Sequence, residues 1–88
     1  MIVRILGEGR YDVPDTAMTD IDRLDADLAA ALDSGDEPRF SDALAALIDA
    51  VRDAGQLISA DDVQPSSRVV PHPGSTLGEV QELLAEES

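Results

Sequence analysis

The chain has 88 residues, a formal net charge of −13, no cysteine and no lysine. So short a chain buries only about 60–65% of the surface it exposes when unfolded, which implies one domain with one modest core. The missing cysteines exclude disulfides, thiolate metal sites and cysteine nucleophiles, and the charge disfavours nucleic acid and anionic lipid while favouring a basic protein partner.

With one Tyr, one Phe and no Trp, the core has to be assembled from Leu, Ile, Val and Ala. The opening apolar run is too short for a secretory leader and meets Glu8 at once. No stretch approaches the roughly 20 apolar residues of a bilayer span. The expectation is a soluble, cytoplasmic protein that reaches the inner face of a membrane only through a partner.

"MIVRIL" is rich in β-branched residues and reads as a strand, followed by the turn "GEG" and the alternating strand "RYDV". Pro14 ends this hairpin, expected over 1–14, because it supplies no ladder donor. In the first strand Val3 and Ile5 point one way, and Ile2, Arg4 and Leu6 the other. Both faces therefore want cover.

A helical hairpin is expected over 16–54. Ile21, Leu24, Leu28 and Leu32 form one stripe of a helix running from Thr16 to Asp33, with Asp15 as its cap and Gly35 in the left-handed position past its end. A second helix from Glu37 to Ala54 carries the clearest periodicity in the chain: Phe40, Ala43, Leu44, Leu47, Ile48 and Val51. Asp36 is its expected cap, Pro38 sits in its first turn, and Gly55 ends it. The short link between the two helices makes them antiparallel.

Residues 56–74 read as irregular, stiffened by Pro65, Pro71 and Pro73. Either Leu57–Ile58 or Val69–Val70 could add a third strand to the hairpin. A C-terminal helix is expected over 76–86, with Thr76 and Glu79 as a capping box and Leu77, Val80, Leu83 and Leu84 as its apolar face. This helix is the expected cover for the second face of the first strand, since an isolated helix of that length is marginal in water. The fold class is thus α+β: an N-terminal β-hairpin packed on an antiparallel helical hairpin, plus a short C-terminal helix, in a single domain over 1–88.

No catalytic motif emerges. Gly7 and Gly9 lack the third glycine and the following helix of a dinucleotide loop. His72 is the only histidine and has no partner ligand for a metal. Asp61–Asp62 reads as a loop or a helix start, no segment has EF-hand spacing, and Ser66–Ser67 and Ser75–Thr76 read as turn and cap residues. No enzyme activity, cofactor or metal is expected. Ala29, Ala30 and Ala31 give the first helix a smooth face that a partner helix could approach. Together with Ile2, Arg4 and Leu6 they make up the candidate interaction surface. Ile2→Asp or Leu6→Asp is expected to weaken association.

The ordered segments "MIVRILGEGRYDVPD", "LDADLAAALDSGDEPRFSDALAALIDAVRDAG", "LISADDVQPSSRVVP" and "STLGEVQELL" resemble the PspA-associated PspAA family of bacteria and archaea over essentially the whole chain. Arg10 departs from the family pattern, as does Ala60–Asp61, where proline is often close by. The resemblance implies an accessory or adaptor component of the phage-shock envelope-stress response, encoded with PspA, a coiled-coil protein that coats stressed inner membranes. It implies no catalytic residues. Its implied partners are a PspA-like coiled-coil protein or that protein's membrane partners. The other reading is a self-associating structural domain, a homodimer through the hairpin.

Overall fold

The computed structural model describes residues 1–59 and 68–87, with side chains described to residue 82. Two long helices are its largest elements: α1, Met18–Ser34, and α2, Glu37–Ala54. A 3₁₀ turn over Asp15–Ala17 leads into α1. The expected Asp15 side-chain cap is not made, because the turn supplies the acceptors instead: Ala17 N–H donates to the Pro14 carbonyl at 3.0 Å and Met18 N–H to that of Asp15.

The junction between the helices follows the sequence closely. Gly35 has φ 71°, a left-handed position that a side chain would strain. Gly35 N–H reaches the Leu32 carbonyl at 3.3 Å and Asp36 N–H the Ala31 carbonyl at 3.2 Å, the paired bonds of a Schellman close. Asp36 then turns its carboxylate to accept from Arg39 N–H at 3.2 Å, capping α2. One dipeptide thus stops one helix and starts the next, which sets the two antiparallel.

The sheet has four strands, not the two or three expected: β1 Ile2–Ile5, β2 Gly9–Asp12, β3 Gln56–Leu57 and β4 Arg68–Val70, in the order β3-β2-β1-β4. Both short apolar pieces therefore join the sheet, one at each edge. β3 runs antiparallel to β2, and β4 parallel to β1. The hairpin turn occupies residues 6–8, one position earlier than "GEG" implies, with Gly7 at φ 84° and Glu8 N–H donating to the Ile5 carbonyl at 3.0 Å. Asp61–Asp62, Pro65 and Ser66–Ser67 lie outside the described residues.

Residues paired across strands share a face. The register places Leu57, Tyr11, Val3 and Arg68 in one inner row and Gly9, Ile5 and Val70 in the next. Val3, Ile5, Val13 and Val70 are essentially inaccessible, in one core with Ile21, Leu28, Phe40, Leu44, Leu47, Ile48 and Val51. Burying each such side chain contributes on the order of 1.5–3 kcal/mol. Gly55 ends α2 against this face in extended backbone, φ −98°. A Cβ there would lie 2.9 Å from the Val51 carbonyl oxygen and 3.0 Å from side-chain carbons of Tyr11 and Val13. Here glycine is required for close approach, not for turning.

The third helix, α3, spans Leu77–Glu87. The expectation that it covers the second face of β1 is corrected: α3 packs against α2, and Leu77 and Val80 enter the helix-side core. That core offers a continuous apolar wall, whereas the second face of β1 presents Arg4 at its centre. The side chains of Leu83 and Leu84 lie outside the described part. Thr76 Oγ1 accepts from Glu79 N–H at 3.2 Å, half of the expected capping box. The Glu79 carboxylate lies 3.4 Å from His72 Nε2.

Candidate interaction surface

The six candidate residues do not form one surface. On α1, Ala29 and Ala30 are exposed on the outer side, while Ala31 is completely buried in the core beneath them. Three consecutive positions spread over about 200° of a helix, so the three alanines cannot share one face. Ala31 is therefore a core residue. On β1, Ile2 is only 8% exposed, Leu6 is half-buried and Arg4 is exposed. Ile2→Asp would place a charge at a buried position and test stability before association.

The outer face of the sheet has its own two rows. Gln56, Asp12 and Ile2 form one, and Arg10, Arg4 and Val69 the other. Arg4 and Arg10 are thus direct cross-strand neighbours, an arrangement in which like charges repel. Val69 beside them is 57% exposed. Sequence reasoning missed Arg10 and Val69, because only the register of β2 and β4 against β1 brings them to Arg4.

The helical layer has the opposite sign. Asp20, Asp22, Asp27 and Asp33 on α1 and Glu37, Asp42, Asp49 and Asp53 on α2 are all exposed. Two arginines tie this layer to the sheet and its hairpin turn. Arg52 pairs with Glu8 of the hairpin turn and lies 3.9 Å from Asp49. Arg68 stands 2.7 Å from Asp22 and 3.5 Å from Asp25, fastening β4 to α1. Exposed pairs of this kind contribute up to about 1 kcal/mol each.

A shallow groove of about 280 Å³ runs between α2 and the 73–75 turn, lined by Ser41, Ala45, Ile48, Asp49, Arg52 and Ser75 among others. Ser75 donates its hydroxyl to the His72 carbonyl at 2.7 Å, bracing the turn. His72 is half-exposed, with Nδ1 3.2 Å from the Pro73 carbonyl. Among the described residues no three His, Asp or Glu side chains converge as a metal site, and no helix is long and apolar enough to cross a membrane.

Compared with known proteins, residues 1–88 match the family model PspAA, described as PspA-Associated protein. No curated protein and no solved structure matches the chain.

Proposed function

The chain belongs to the PspA-associated protein family, and on that premise we propose that it is a non-catalytic accessory protein of the phage-shock envelope-stress response, acting by binding a PspA-like protein. The match over all 88 residues carries this reading. The surface is in keeping with it. Acidic side chains crowd the helical layer, two arginines and an exposed valine mark the outer sheet face, and apolar and charged exteriors of this kind serve recognition and encounter. In this reading the protein is cytoplasmic and meets the membrane through its partner.

Co-purification from stressed cells under mild lysis tests the proposal. Recovery of the PspA-like protein with the tagged chain is the expected result. Its absence, with the chain itself folded and abundant, refutes the partner assignment. Light scattering of the isolated chain separates this reading from self-association, since a strict monomer removes the homodimer.

A further inference from the structure

Three observations meet at β4. First, among the described residues β4 lies at the edge of the sheet. Leu6 N–H donates to the Val70 carbonyl at 3.0 Å, so the main-chain groups of Val70 face β1. Those of Val69, one residue back, face away from the sheet. Second, the Val69 side chain is 57% exposed, one of three large hydrophobics left open among the described residues. Third, Arg4 is exposed beside Val69 in register, and among the described residues no carboxylate lies within ion-pair distance of it.

We propose that β4 is a strand-addition site: an extended segment of the partner protein pairs with the outward main chain of Val69, sets an apolar side chain on Val69 and directs a carboxylate to Arg4. This deepens, and rests on, the PspA-binding reading. Main-chain hydrogen bonds give such sites affinity, and alternate side chains give them specificity. An added strand lies two strand spacings, roughly 10 Å, from β1. An arginine and a glutamate reaching toward each other over Val69 close that gap. Charge argues against a second copy as occupant: each chain carries −13, and twofold pairing of β4 would bring two Arg4 side chains toward each other.

The inner side of β4 is already committed. Arg68 is held by Asp22 and Asp25, and Val70 is buried. The strand is therefore anchored by one face and by Val70, leaving Val69 to be read by a visitor.

Binding of the full chain to full-length PspA-like protein from the same cells, measured by interferometry, tests this. Val69→Pro removes the outward N–H without removing a β1–β4 bond, and Arg4→Glu reverses the charge without touching the main chain. Each is expected to weaken binding at least tenfold. Ala46→Arg, at an exposed position on the opposite layer, is expected to change it less than twofold. In the complex, exchange of the Val69 amide, followed by NMR, slows. If the unaltered chain binds but Val69→Pro and Arg4→Glu bind equally well, the edge is refuted and the partner assignment stands. If the unaltered chain does not bind, both fall. If the chain alone dimerises and Val69→Pro makes it monomeric, a second copy occupies the edge and the assignment to another protein is overturned.

Discussion

The two faces of the four-stranded sheet are built from alternating residues of the same strands, yet they do different work. On the inner face Val3, Ile5 and Val70 are sealed against two helices, and even Gly55 has no room for a methyl group. On the outer face Arg4 and Val69 stand open to solvent and Arg10 is half-buried. The inner face is core throughout, whereas the outer face buries Ile2 and leaves Arg4 and Val69 to solvent.

Adjacent positions on β1 give the sharpest test of that contrast. Ile5→Ala should destabilise the domain by about 2–5 kcal/mol through lost burial and the cavity left behind, seen as a lower midpoint in urea at unchanged slope. Gly55→Ala should cost about 1–3 kcal/mol, since its methyl meets main chain and not a yielding side-chain tip. A neutral result there would mean that α2 and β2 are less closely apposed than described. Arg68→Ala should cost roughly 1 kcal/mol or less, and the loss should shrink in high salt, because its aspartate partners are about half-exposed. Arg4→Ala should shift stability by less than about 0.5 kcal/mol in either direction. A loss comparable to that of Ile5→Ala would break the contrast and make the outer face structural.

Local chemistry made much of this legible. The stripe from Phe40 to Val51 is helix and core as its spacing requires, and the Gly35–Asp36 pair closes and opens helices through its own backbone and carboxylate. These features depend on residues within five positions of one another. The candidate surface was less legible. Strand alternation set Ile2, Arg4 and Leu6 on one face, of which Arg4 is exposed and Ile2 is buried, and Ala31 was misjudged, because helix rotation against α2 and not composition decides which alanine turns inward. Val69 gave no signal of its own and Arg10 stood out only as a departure from the family pattern; the register is what sets both beside Arg4.

The amino-acid order by itself determined the main elements, the helical hairpin, the division of β1 into two alternating sets and, through whole-chain likeness, the family. Tertiary structure alone decided that both short strands join the sheet at opposite edges, that β4 lies parallel to β1, and that α3 settles on α2. These outcomes depend on contacts between residues far apart in the chain. Two- and three-residue strands carry too little local preference to choose a neighbour. They pair where the core formed by the rest of the chain leaves an edge to receive them.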